Sequence, residues 1–244
     1  MLPFIKQSPR EHLFFSNPFP FYDRLRKVGS LVLWEDYKMP VTGDYSLVNQ
    51  ILRDRRFGRE PPNGFLSNIP KRLRPFFENE SRSMLERDPP THTKLRSTAL
   101  HAFTTKKLKS IEADIFKLAT QLLNEIEDST FDLIEEFSEK FPVIVITRLL
   151  GVPEKMAPQF LSWSHNMVAM YQARRNRKVE NLAVQATVEF TDYLKEFLKI
   201  KWNNKADDLI SHLLGNKDNS ASLREDELIS TIILLLNAGH EATV

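Results

Sequence analysis

The chain reads as a mainly α-helical fold with a small β-hairpin or sheet near its amino terminus, and three observations point there. Apolar residues recur at helical spacing through most of residues 91–244. The clearest sheet signal is one pair of short apolar runs split by a polar turn, within 31–42. The breaks between helical runs carry turn or cap residues. With 244 residues, 41 % hydrophobic and 27 % charged, the composition is that of an ordinary globular protein.

At the amino terminus, Phe21, Leu25 and Val28 recur at helical spacing behind Pro18, which suits a first turn. Leu31-Val32-Leu33-Trp34 and Met39-Pro40-Val41-Thr42 flank the turn Glu35-Asp36-Tyr37-Lys38; Pro40 has no N–H for a ladder, so the second strand belongs at an edge. Asp44 can cap a helix whose apolar face is Leu47, Val48 and Ile51. Residues 57–75, punctuated by Gly58, Pro61, Pro62, Gly64, Pro70 and Pro75, predict a loop long enough for a lid or binding segment.

Helices are then expected at 91–103, 108–126, 133–150, 155–170, 179–202, 207–214 and from 223 onward. Thr104-Thr105, Asp128-Ser129-Thr130, Gly151-Val152-Pro153 and Gly215-Asn216-Lys217-Asp218 separate them. The cluster Arg174-Arg175-Asn176-Arg177-Lys178 between two amphipathic helices is a solvated connector rather than a nucleic-acid site.

Composition excludes several chemistries. With no cysteine there are no disulfides, thiolate zinc sites, iron–sulfur clusters or thiol nucleophiles within the chain. The seven glycines never form G-x-G-x-x-G, a phosphate loop or G-x-S-x-G. The charge of 34 − 32 = +2 gives no pull toward nucleic acid or an anionic membrane. Neither a signal peptide nor an apolar run of roughly 18 residues is present, so a cytoplasmic protein with no membrane span is expected.

Two segments can carry chemistry. In Asp88-Pro89-Pro90-Thr91-His92-Thr93-Lys94-Leu95-Arg96, the prolines stop any earlier helix and Thr91 can cap a new one, placing His92 and Arg96 four apart on one face. An imidazole beside a planar guanidinium fork suits carboxylates, although an ordinary exposed pair has the same spacing. The second segment runs from Leu228 to Val244, with apolar residues around nearly the whole circumference, and predicts a helix buried on all sides. Ala238-Gly239 costs it about 1 kcal/mol at the glycine, which makes sense where something flat approaches the backbone. His240-Glu241 begins a zincin-like pattern, but Val244 stands where the second histidine belongs, so no metal is assigned. The last residues carry no cap, and the chain is expected to be one incomplete domain, 1–244, ending within this helix.

Together these segments resemble the soluble bacterial branch of the cytochrome P-450 family, the haem-thiolate monooxygenases, from about Pro18 to Val244. The resemblance is carried by Trp34 with Asp44-Tyr45 and Arg53-Asp54-Arg55-Arg56-Phe57, by Ser83-Met84 with Asp88 to Arg96 and Ala102-Phe103-Thr104, by Phe141-Pro142-Val143-Ile144-Val145-Ile146 with Leu149-Leu150-Gly151-Val152-Pro153, and by Asp207-Asp208-Leu209-Ile210-Ser211. It implies the amino-terminal part of that fold, with haem as cofactor, an apolar organic substrate oxidised with dioxygen, and a ferredoxin or flavoprotein electron donor.

By position, His92 and Arg96 would hold the haem propionates. Ala238 and Gly239 would line the distal helix over the iron, and Glu241 would join a proton relay. The loop 57–75 and the helices of 155–202 would form the substrate lid. Two departures stand out. The family's usual threonine after the acid is replaced by Ala242, with Thr243 one helical step, about 100°, further round. The family's E-x-x-R motif and cysteine ligand are absent, which implies an oxygenase that is inactive alone. The alternative is a non-enzymatic helical binding or interaction module.

Overall fold

The computed structural model describes residues 2–61, 64–103, 111–172, 175–215 and 223–243. They fall into two compact units, Met1–Gly58 and Arg59–Val244.

The first unit holds β1 (Phe4–Ile5), α1 (His12–Ser16), α2 (Phe19–Val28), β2 (Val32–Trp34), β3 (Met39–Val41) and α3 (Tyr45–Arg53). Strand β2 pairs antiparallel with β3, Leu33 opposite Pro40, and the order β1-β2-β3 leaves the proline strand at an edge as its missing N–H requires. Strand β1 pairs parallel with β2 and was not expected. Two residues joining a strand nearly thirty positions away leave no local signal. Buried Ile5, Phe21, Leu25 and Val32 form the core, with Trp34 half-buried against it and donating its indole N–H to the Gln7 carbonyl at 2.8 Å. Asp44 caps α3, its Oδ1 accepting from the Leu47 N–H at 2.8 Å. On the predicted α3 face Leu47 and Ile51 are half-buried, while Val48 is exposed.

The second unit is helical. Segment 57–75 is more ordered than expected: 3-10 turns at Leu66–Asn68 and Lys71–Leu73 lead into α4 (Arg74–Glu80), with Pro75 in its first turn where a proline costs no hydrogen bond. Then come α5 (Thr91–Ala102), α6 (Glu112–Asn124), a π-helical turn at Ile134–Ser138, α7 (Lys140–Leu150), α8 (Ala157–Val168), α9 (Arg177–Asn203), α10 (Leu209–Leu214) and α11 (Glu225–Glu241). The expected break at Thr104-Thr105, the first residues of the 108–126 helix, Arg174 and the turn at 216–218 lie outside the described residues.

Helix starts follow side-chain chemistry. Asn176 and Asp208 accept backbone N–H groups at the starts of α9 and α10, at 3.0 and 2.8 Å. Gly151 ends α7 with φ +77°, a left-handed position where a β-carbon would collide with Asp208. Packed against that turn, Asp208 Oδ2 meets Lys201 Nζ at 2.5 Å, with side chains only 7 % and 11 % exposed. Helix α8 lies along α9, where Trp163 and Phe190 stack at 5.0 Å, and α7 lies along α11. Among the described residues no helix is long and apolar enough to cross a membrane.

Candidate functional site

The start of α5 places the first candidate pair. Thr91 does not cap this helix: Pro90 holds the cap position, and the Asp88 carbonyl accepts the His92 N–H at 3.0 Å. The Asp88 carboxylate is used elsewhere, accepting the backbone N–H groups of Arg59 and Glu60 at 2.9 Å, and those bonds hold its carboxyl below the usual carboxylate range. Leu95, Ala99 and Ala102 bury one stripe of α5. At 100° per residue, His92 and Arg96 sit about 40° apart on the flank of that stripe. His92 is half-buried and Arg96 exposed, and among the described residues neither side chain has a hydrogen bond or ion pair. His92 does feel the Asp88 carboxylate electrostatically, and a guanidinium beside an imidazole is a donor set that fits two carboxylates.

Lys94 turns the other way. Its Nζ lies 3.2 Å from Glu227 Oε2 and ties α5 to the first turn of α11, where the same carboxylate accepts the Arg224 N–H at 3.0 Å. Burial pushes the Glu227 carboxyl up, but the Arg224 N–H and Lys94 outweigh it, and the group ends below its ordinary range.

Helix α11 is buried all round only in its first half, from 227 to 233. Beyond Ile233 only Leu236 and His240 are buried, and Leu234, Ala238 and Glu241 form a stripe that opens toward solvent. Gly239 has a different explanation from the one the sequence suggests. A β-carbon there would stand 2.9 Å from Ile146 Cγ1 of α7, so close helix packing accounts for the glycine, whereas Ala238 faces outward.

The end of α11 gathers titratable groups. Fully buried His240 points Nδ1 at the Leu236 carbonyl, 3.0 Å away, while its Nε2 has no hydrogen-bond partner among the described residues. Glu241 Oε1 lies 3.4 Å from that nitrogen and 3.8 Å from Nε2 of His165 on α8; Glu139 Oε1 lies 4.0 Å from His165. The ligand atoms of His165, His240 and Glu241 all fall within 4.8 Å of one another. His165 and Glu139 carry no sequence signal here, because α8 meets α11 only in the fold. Ala242 presents a methyl group, and the Thr243 hydroxyl donates to the Gly239 carbonyl at 3.3 Å.

A cavity of about 400 Å³ lies between the 57–75 segment, α4 and the end of the α8 region. Its walls include Phe65, Phe76, Phe77, Met170 and Tyr171, with the half-buried acid Glu80 among them. Tyr171 Oη donates to Glu80 Oε2 at 2.5 Å; burial raises the Glu80 carboxyl above its ordinary range and the Tyr171 hydroxyl well above its own. Both parts of the expected lid thus supply walls of one cavity. His92, Arg96, Ala238 and Gly239 are not among the residues lining it.

No family model matches the chain. Among curated proteins it is 32 % identical, over 97 % of its length and 59 % of the relative's, to the polyketide biosynthesis cytochrome P450 PksS of Bacillus subtilis (strain 168). It is 30 % identical, over 98 % of its length and 60 % of the relative's, to the biotin biosynthesis cytochrome P450 of the same organism. Among solved structures, P450BioI in complex with an acyl carrier protein bearing hexadec-9Z-enoic acid superposes with a TM-score of 0.82 at 29 % identity, over 93 % of this chain and 59 % of that one. The chain therefore spans about three fifths of the length of the curated relatives named. These matches favour the haem-protein reading over an interaction module.

Proposed function

Because the chain belongs to the bacterial cytochromes P450, we propose that it forms the amino-terminal part of one haem monooxygenase domain working in the cytoplasm. The complete protein oxidises an apolar small molecule with dioxygen, using electrons from a ferredoxin or flavoprotein. The observation that carries this is the donor pair on α5, His92 and Arg96, whose side chains make no hydrogen bond or ion pair among the described residues and suit two carboxylates.

Haem supplies the oxygen and electron chemistry when bound. The residues of this chain do the rest. Arg96 offers its guanidinium fork to one propionate and His92 its imidazole N–H to the other. Ala238, exposed on the open stripe of α11, keeps the pocket roof clear of side chain. Glu241 would join the proton relay, with Nε2 of partly exposed His165 on the solvent side, 3.8 Å from its Oε1. Thr243 donates its hydroxyl proton to the Gly239 carbonyl and would offer its oxygen as an acceptor. The aromatic walls between α4 and Tyr171 support an apolar substrate, and an acyl chain such as the one on the carrier protein in the P450BioI structure is of that class. With no cysteine for the iron, this chain by itself does not oxygenate.

Haemin titration tests the grip. Haemin should bind the chain, and Arg96→Ala should weaken binding about tenfold or more, as expected for losing a charge-assisted bond. No binding, or affinity in both Arg96→Ala and His92→Ala unchanged from the unsubstituted chain, would overturn the assignment.

A further inference from the structure

We propose that His165, His240 and Glu241 form a site for a borderline divalent cation of the Zn²⁺ class. A carbonyl oxygen only accepts, so the 3.0 Å contact with Leu236 fixes the proton of neutral His240 on Nδ1 and leaves a bare lone pair at Nε2. That lone pair is buried, has no hydrogen-bond partner among the described residues, and faces a carboxylate oxygen 3.4 Å away.

Two acceptors pointed at each other in a buried site repel unless a cation or a proton stands between them. The 3.4 Å contact makes no hydrogen bond, and a cation between the two atoms would satisfy both. A backbone carbonyl holding the far nitrogen of an imidazole is also the usual way a protein orients a histidine ligand.

The donor set suits the ion. Two imidazoles and one carboxylate form a three-ligand zinc shell that leaves a fourth position open. Ligand atoms about 2.1 Å from a tetrahedral ion stand about 3.4 Å apart. The His240–Glu241 edge has that length at 3.4 Å, and the His165–Glu241 edge, at 3.8 Å, needs only a small rotation of the partly exposed His165 ring. Glu139, 4.0 Å from His165, adds negative charge beside the site. An ion held there would clamp the end of α11 to α8.

The test is Zn²⁺ alone added to the metal-free 244-residue chain, followed by calorimetry and thermal unfolding, with Co²⁺ visible absorption as a second reporter. The expected results are one ion per chain, a raised melting temperature and a tetrahedral Co²⁺ spectrum, with affinity lowered more than tenfold in His165→Ala. That variant changes a partly exposed residue, and Glu241→Gln at the exposed neighbour should behave alike. Folding and metal binding are coupled, so a loosely folded chain should gain structure when Zn²⁺ is added. No saturable binding up to millimolar Zn²⁺, or binding unchanged in both variants, overturns the site.

Discussion

Ile146 of α7 occupies the space that a β-carbon on Gly239 of α11 would need, its Cγ1 lying 2.9 Å from that position. The two helices approach this closely only because one of them lacks a side chain there.

Gly239→Ala gains about 1 kcal/mol of helix propensity but overpacks a tight contact, typically at 1–3 kcal/mol. The net expectation is a loss in denaturant midpoint. In an Ile146→Ala background the same change should be neutral or stabilising. A cost that persists there would show that the contact is not what the glycine serves.

Asp208 and Lys201 form the most enclosed of the carboxylate–ammonium pairs described here, and Asp208 also caps α10. Asp208→Ala strands a buried ammonium and should cost about 3–5 kcal/mol in urea unfolding. Replacing both partners by apolar residues should cost clearly less. A loss under about 1 kcal/mol for the single variant would mean that Lys201 finds water instead.

Two carboxylates should move stability in opposite directions with pH. Glu227 titrates below the ordinary value of 4.5 in the folded chain, so its contribution is present above pH 4.5 and is lost as pH falls through the lower folded value. Glu80 titrates above 4.5 when folded, so the native state holds the extra proton and stability declines as pH rises from 4.5 through the folded value. Unfolding measured from pH 3 to 7 should therefore flatten at its acid end in Glu227→Gln and at its neutral end in Glu80→Gln. Parallel profiles in all three proteins would contradict both assignments.

What the sequence made legible was mostly local. Asp44 as a cap, Pro40 at an edge and Gly151 at a helix end each follow from one residue's own geometry, and each stands where expected. The burial of α11 was half legible: its apolar circumference showed a core helix, but only tertiary neighbours decide where the cover stops, near Ile233. Thr91 failed as a cap because Pro90 took the position and the Asp88 carbonyl already accepts an N–H of the first turn. The purpose of Gly239 and the meeting of His165 with His240 were illegible for a shared reason. Each depends on a helix far away in sequence, and no spacing rule along one helix reports it.

The most direct test of the whole account is the carbon monoxide spectrum of the reduced chain mixed with haemin. With His92 and Arg96 proposed to hold the propionates and no cysteine among the 244 residues, the expected product is a haem complex without a thiolate-type carbonyl band. A clear band of that type, from this chain alone, would contradict it.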